Sequence, residues 1–253
     1  MSSKSTLSII GFGPFGQFIA PHLTPHFEVT VWNRTNRKAE TSHLGVQWLP
    51  LHECLKKEVV ILCTSINYFE LFLAENAPYI NPTAMVIDVA SVKIKPAELM
   101  LKYLPATCEI IATHPLFGPQ SGKNGIENLN FVLCPIRTSR LNCVINFLSN
   151  VLKLNVLIKT PDEHDTQMAY VQALTHFVAR VLDAMQIPDT ALKTKAYQSL
   201  TDTKDYLSGD SLDLFLAIEN DNPHAALVRQ KFLSCAMELE KQIQAANKKN
   251  LKS

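Results

Sequence analysis

One short stretch limits the folds open to this chain more than any other. Gly11-Phe12-Gly13-Pro14-Phe15-Gly16 follows an apolar run, Leu7 to Ile10, and opens a segment with helical spacing. Glycines at this spacing between a strand and a helix form a turn suited to a dinucleotide. Gly11 makes the tight turn, Gly13 lets the backbone approach a pyrophosphate, and Gly16 lets helix and strand pack closely. The helix N-terminus then offers amide hydrogens to the phosphates. A repeat of this kind is weak by itself, and a merely structural glycine turn competes with it. Its place between strand and helix favours the cofactor reading.

The rest of the first 160 or so residues fits that turn. Further strand-like runs are Glu28 to Trp32, Val59 to Cys63, Met85 to Val89, Glu109 to Thr113, Phe131 to Cys134 and Val156 to Lys159. Helical spacing separates several of them, as in Asn67 to Glu75 and Pro96 to Tyr103. Such alternation predicts an α/β fold of the Rossmann type, with a doubly wound, mostly parallel sheet. The texture changes at Thr160-Pro161-Asp162-Glu163, which reads as a helix start with Thr160 as cap, Pro161 in the first turn and Glu163 closing a capping box. Beyond it only helices are expected, over Asp162 to Met185, Ala191 to about Leu207, Ser211 to Glu219 and His224 to Ala246, with a frayed lysine-rich tail from Asn247 to Ser253. The predicted organisation is a nucleotide-binding domain over residues 1–160 and an all-α domain over 161–253. About 90 helical residues close a core poorly alone, and the apolar Leu212, Leu214, Phe215, Leu216 and Ile218 point to a homodimer.

Composition removes other classes. Hydrophobic residues make up 47% and charged residues 19%, which excludes a disordered chain, and the net charge of +1 calls for neither nucleic acid nor an anionic membrane. No apolar run reaches the ~18 residues of a membrane span. The six cysteines form no CxxC pair and sit mostly in apolar runs, as reduced core residues would. No leader precedes the first strand, so a cytoplasmic or already processed protein is expected. No metal site is expected.

The second strand ends Val31-Trp32-Asn33-Arg34-Thr35. A chain that binds NAD usually carries Asp or Glu here for the ribose 2′-hydroxyl. Asn33 is neutral, Arg34 can fork onto a 2′-phosphate, and Thr35 adds a hydroxyl, with Arg37 a possible second cation, so the cofactor is expected to be NADP. The solvated loop arginine is the bland alternative. Two more segments fall at C-terminal strand ends, where doubly wound sheets bind ligands. One is Asp88-Val89-Ala90-Ser91-Val92-Lys93. The other is Thr113-His114-Pro115-Leu116-Phe117-Gly118-Pro119-Gln120-Ser121-Gly122. Pro115 biases His114 toward an extended strand exit, well placed to face a nicotinamide. In the helical domain Gln172, His176 and Arg180 recur at four-residue steps as a polar ridge. Such a ridge is usually solvated surface, and a histidine among apolar neighbours is often only a satisfied core group.

Taken together with Glu163-His164-Asp165-Thr166-Gln167-Met168-Ala169, these ordered motifs resemble the prephenate/arogenate dehydrogenases over nearly the whole chain. The likeness is greatest to the plant-type arogenate enzymes, which share Lys195-Ala196-Tyr197-Gln198 and Ser208-Gly209-Asp210-Ser211-Leu212-Asp213-Leu214-Phe215. The resemblance implies oxidative decarboxylation of a 4-hydroxycyclohexadienyl acid, arogenate or prephenate, with hydride passing to NADP. It makes His114 the general base on the 4-hydroxyl, Ser91 a residue orienting that hydroxyl, and His176 a wall of the substrate pocket. It also makes Asp210 the partner of arogenate's ammonium, against the alternative that Asp210 only caps the helix beginning near Ser211. Two positions depart from the family. Gln120 stands where many relatives carry an acid. Gln198 stands where some prephenate-using relatives hold the ring carboxylate with arginine, so Arg180, Lys195 or Lys123 must supply that cation. A β-hydroxyacid dehydrogenase shares the glycine turn and the Asn-Arg-Thr signal but works through a lysine, and His114 with Ser91 argues against it. A non-catalytic NADP sensor would not need to keep that pair.

Overall fold

The computed structural model describes residues 4–207 and 209–250. The apolar runs become β1 (Thr6–Ile10), β2 (Glu28–Trp32), β4 (Val59–Leu62), β5 (Met85–Asp88), β6 (Glu109–Pro115), β7 (Asn130–Arg137) and β8 (Asn155–Ile158), with a two-residue β3 (Gln47–Trp48). They form one sheet in the order β3-β2-β1-β4-β5-β6-β7-β8. All neighbours are parallel except β6 and β7. Parallel strands covered on both faces read as continuous apolar runs, because neither face meets water. Ile9, Ile10, Val31, Val60, Val86 and Ile111 accordingly have no exposed surface.

Strand order reverses at β1, which has β2 on one side and β4 on the other. Ligands of doubly wound sheets bind outside the carboxyl ends of the strands at such a reversal. Helices α1 (Pro14–Leu23), α2 (Leu51–Cys54), α3 (Ile66–Asn76), α4 (Ile94–Tyr103) and α5 (Leu141–Asn146) connect the strands. Strands β3, β6 and β7 differ most from their sequence expectation, β7 running on to Arg137 beyond the expected Cys134. β3 is too short to show alternation and exists through its pairing with Thr30 and Val31 of β2. β6 runs on through His114 and Pro115 because the antiparallel β7 pairs with it as far as Phe131, so His114 lies inside the strand and not beyond it.

The chain divides into two compact units, Met1–His164 and Asp165–Ser253. The division falls inside α6 (Pro161–Met168), later than the change of sequence texture at Thr160. The capping box forms: the Thr160 amide donates to Glu163 Oε2 at 2.8 Å, and the Glu163 amide donates to Thr160 Oγ1 at 3.2 Å. All later described elements are helical: a π-helical turn Ala169–Leu174, α7 (Thr175–Ala184), α8 (Lys195–Leu207), α9 (Leu212–Asp221) and α10 (Ala225–Asn250). Helix α8 begins at Lys195 and not at Ala191. Asn247 to Asn250, expected as frayed tail, continue α10, while Leu251, Lys252 and Ser253 lie outside the described residues, as does Ser208. The second unit has a small buried cluster, Ala173, Ile218 and Ala225, and many exposed apolar side chains on α9 and α10.

Candidate active site

The glycine turn is built as its spacing requires. Gly11 has φ +104°, and a Cβ there would stand 2.4 Å from the Cys63 carbonyl oxygen on the neighbouring strand end. A Cβ on Gly16 would meet the Gly11 carbonyl oxygen at 2.3 Å, so helix and turn touch through hydrogen alone. Nothing lies within 4 Å of a Cβ built on Gly13, the cap residue of α1. The turn is therefore closed toward the protein and open where a pyrophosphate would approach, which fits a dinucleotide. Phe12 is fully buried in the core, and Phe15 packs against it, so their expected cofactor role rests on the backbone and not on the rings. Pro14 occupies the first turn of α1, where a missing amide hydrogen costs little.

Asn33 braces this turn. Its Oδ1 accepts from the Phe12 amide at 2.9 Å, and its Nδ2 donates to the Thr35 carbonyl at 2.9 Å. Gln17 Nε2 donates to the Phe12 carbonyl from the other side at 3.0 Å. Arg34 and Thr35 are exposed beyond it. The Arg34 guanidinium stacks 5.3 Å over the Tyr68 ring of α3, and among the described residues it has no carboxylate partner. Its fork is thus held in place with its charge unspent. Arg37 instead pairs with Glu40 at 3.4 Å on the surface.

Register carries the next two segments to the same edge of the sheet. Asp88 pairs with Ala112 on adjacent parallel strands, so His114 on β6 and Ser91 in the loop after β5 both follow this level in the chain. A fully buried ion pair ties them together. Lys93 Nζ donates to Asp88 Oδ2 and to the Thr113 carbonyl, the Ala90 amide donates to Asp88 Oδ2 at 2.9 Å, and Thr113 Oγ1 donates to the Asp88 carbonyl at 2.5 Å. Burial pushes the Asp88 carboxyl up, opposed by the Lys93 charge and these donors. The loop bearing Ser91 is thereby fixed to the strand bearing His114. Ser91 is half-buried. His114 is buried, and its Nδ1 lies 2.9 Å from Nε2 of His164, a buried residue of α6, with the rings edge to face. Burial first, then the neighbouring His164 and Lys93, hold His114 well below the ordinary histidine value of 6.5. A neutral imidazole at a strand end can accept a proton, which is what a general base must do. Gln120 and Lys123 are exposed on the turn after β6.

In the second unit the expected polar ridge is only partly solvated. His176 is buried, while Gln172 and Arg180 are half-buried. Arg180 donates to the Asp210 backbone carbonyl at 2.7 Å and stacks 5.3 Å over the Phe215 ring. The Asp210 carboxylate lies 3.6 Å from His176 Nδ1. Burial lowers the His176 pKa against the opposing pull of Asp210, so a neutral ring leaves the carboxylate's charge uncancelled. The cap of α9 is Ser211, whose Oγ accepts from the Leu214 amide at 3.1 Å, so the alternative that Asp210 serves as that cap does not hold. Lys195 is exposed, and Gln198 turns its amide to Asp202 of its own helix at 2.6 Å; neither is hydrogen-bonded to His176, Arg180 or Asp210.

The sequence names Asp88, Lys93 and His164 only as letters of motifs, without roles. Asp88 and Lys93 are five residues apart and carry a weak local signal, an acid and a base flanking a strand exit. His164 meets His114 across 50 positions, which no spacing rule reveals.

Residues 28–156 match the family of prephenate dehydrogenase nucleotide-binding domains, and residues 181–253 match a TYRAAT1-like C-terminal domain. The chain is similar to Arogenate dehydrogenase 1, chloroplastic, of Arabidopsis thaliana, with 34% identity over 91% of this chain and 38% of that protein. It is similar to Arogenate dehydrogenase 2, chloroplastic, of the same plant, with 31% identity over 88% of this chain and 66% of that protein. The chain thus spans about two fifths and two thirds of the lengths of these relatives. In fold it is similar to prephenate dehydrogenase from A. aeolicus in complex with hydroxyphenyl propionate and NAD+, with TM-score 0.77, 16% identity, and coverage of 98% of this chain and 93% of that one. With glycine turn, strand-end histidine and helical unit in place, the chain belongs to the prephenate/arogenate dehydrogenase family.

Proposed function

We propose that this chain oxidatively decarboxylates arogenate to tyrosine and delivers the hydride to NADP. The observation that carries the reading is His114, a buried and neutral imidazole at the end of a strand in the sheet that bears the glycine turn. In this reading Nε2 of His114 accepts the 4-hydroxyl proton as C4 becomes carbonyl-like, and Ser91 orients that hydroxyl. The bound dinucleotide supplies the hydride acceptor. Loss of the ring carboxylate as carbon dioxide and aromatisation provide the driving force. Arg180 is the cation best suited to the ring carboxylate, because its guanidinium is half-buried and oriented by Asp210 and Phe215, whereas Lys195 and Lys123 are exposed. Gln120, Gln198 and His176 are assigned to the substrate's surroundings on family resemblance.

Arogenate differs from prephenate in carrying an ammonium where prephenate has a ketone. The open carboxylate of Asp210 would pair with that ammonium, and with prephenate it would be left desolvated and unpaired. The names of both plant relatives favour the same substrate. NADP is favoured by Arg34 and by an Asn33 already committed to bracing the turn. The helical unit is further proposed to hold two copies of the chain together.

The test is a four-way assay of arogenate and prephenate with NADP and NAD. Arogenate with NADP should give the highest kcat/KM, and a preference for prephenate or for NAD would reject the corresponding half of the proposal. Asp210→Asn should weaken arogenate use and admit prephenate, since a site built to pair a polar group of the substrate can discriminate by as much as about 10⁴-fold. An Asn variant that keeps the arogenate preference would remove Asp210 from that role.

A further inference from the structure

The contact between two buried histidines has a direction that the general-base reading depends on. His114 Nδ1 and His164 Nε2 are 2.9 Å apart, so one nitrogen carries a proton and the other presents a lone pair. If His164 donates, a neutral His114 must hold its single proton on Nε2. That atom is then a donor and cannot take a proton from substrate. If His114 donates from Nδ1, its Nε2 carries the lone pair. Among the described residues Nε2 of His114 has no hydrogen-bond partner, so the contact at Nδ1 is the hydrogen bond through which its tautomer is selected.

We propose that His164 is a positioning residue that accepts the Nδ1 proton of His114 and so holds His114 in the tautomer whose Nε2 is basic. The proposal rests on the reading of His114 as general base. Its physical content is a triad's logic with a neutral third member: the partner fixes tautomer and ring orientation and takes no proton itself. When the hydroxyl proton arrives at Nε2, His114 becomes an imidazolium with hydrogens on both nitrogens. The bond to His164 then becomes charge-assisted, and no proton crosses it. The reverse arrangement would oppose this, because an imidazolium cannot accept from His164.

The fold sets His164 for this work. The capping box of Thr160 and Glu163 fixes the first turn of α6, and the His164 amide donates to the Thr160 carbonyl at 3.0 Å. His164 therefore stands on the first turn of the helix, not on a loop free to swing. On the other side, Thr113, the residue before His114, is tied by its amide and hydroxyl to Asp88 and by its carbonyl to Lys93. Both rings approach each other from anchored backbone, which a tautomer-selecting contact requires.

The experiment is two-bond ¹⁵N–¹H correlation NMR on the full chain, uniformly labelled, at a pH where His114 is neutral. His114 is assigned from the spectrum of His114→Gln. In the wild type His114 should carry its proton on Nδ1. In His164→Phe, which keeps a flat ring but offers no lone pair, the proton should move to Nε2, the site free imidazole side chains favour in water. With arogenate and NADP, kcat of the Phe variant should fall roughly 10–10³-fold with KM little changed. His164→Gln, whose carbonyl oxygen can accept the same bond, should restore the Nδ1–H tautomer and most of kcat. A wild-type His114 protonated on Nε2, or an unchanged tautomer in the Phe variant, overturns the proposal. The wild-type spectrum alone decides should the Phe variant not fold. The NMR readout needs no substrate, so a chain that fails to turn over arogenate would reject the functional reading while leaving the tautomer assignment to stand or fall separately.

Discussion

His114 is the residue where burial and chemistry meet most directly. Its pKa is depressed below 6.5, chiefly by desolvation. A base works in its neutral form, so kcat/KM should rise with pH through a midpoint below 6.5, and a midpoint at or above that value would contradict the assignment. The same shift acts on stability. In the unfolded chain the ring takes a proton near its ordinary value, while the folded ring resists it, so stability present above pH 6.5 is lost as pH falls toward the folded pKa. His114→Asn should flatten this part of a urea-midpoint profile and lower kcat by roughly 10²–10⁴-fold. Arg34 makes the second residue-scale prediction. A charge-assisted fork is worth about 1.5–3 kcal/mol, so Arg34→Ala should raise KM for NADP roughly 10–100-fold and leave KM for NAD nearly unchanged. Equal losses with both cofactors would mean that the arginine does not read the 2′-phosphate.

At the scale of elements, the buried Asp88–Lys93 pair joins the end of β5 to β6 and fixes the loop between them. Removing one partner of a buried ion pair strands the other charge, a loss of about 3–5 kcal/mol. Lys93→Met should therefore lower urea stability by about that amount, and adding Asp88→Leu should recover much of it. A single variant as stable as the wild type would show that the pair carries no such charge. These elements also show how much was legible in the sequence. The strands were readable because strands buried on both faces are unbroken apolar runs, and α6 was readable because Thr160 and Glu163 are local partners. β3 was not, since a two-residue strand has no pattern apart from its neighbour. The ends of β6 and β7 are not legible either, because an antiparallel partner, not local propensity, sets how far each runs. Of the site, the glycine turn and His114 stood out by motif and position. His164 did not, because its importance comes from a contact formed only when α6 packs beside β6. Asp210 is open to two readings in the sequence, and Ser211 as the cap of α9 removes one of them.

For the whole molecule, the second unit leaves much apolar surface uncovered. Its buried cluster is small, and Leu227, Phe232, Leu233, Met237, Leu239 and Ile243 are exposed on α10 alone. On a helix, Phe232, Leu239 and Ile243 follow at seven- and four-residue steps, and Leu233 and Met237 are four apart, so both sets form stripes along the axis. Leu212, Leu214 and Leu216 of α9 are exposed as well, whereas Ile218, expected at the same surface, is buried within the unit. Phe215 is half-buried and stacks under Arg180. A helix with an apolar stripe gains by meeting another, and contiguous patches beyond a few hundred Å² are rare on monomers. A second copy of the chain presents the same stripe and can satisfy it by two-fold symmetry. Light scattering at micromolar concentration should give twice the 28.3 kDa of one chain. Met237→Glu combined with Leu239→Glu, on exposed positions of α10, places four carboxylates in a symmetric contact and should yield monomers with unchanged helical circular dichroism. A wild-type chain that is monomeric at that concentration would refute the dimer, and a doubly charged variant that stays dimeric would move its contact off α10.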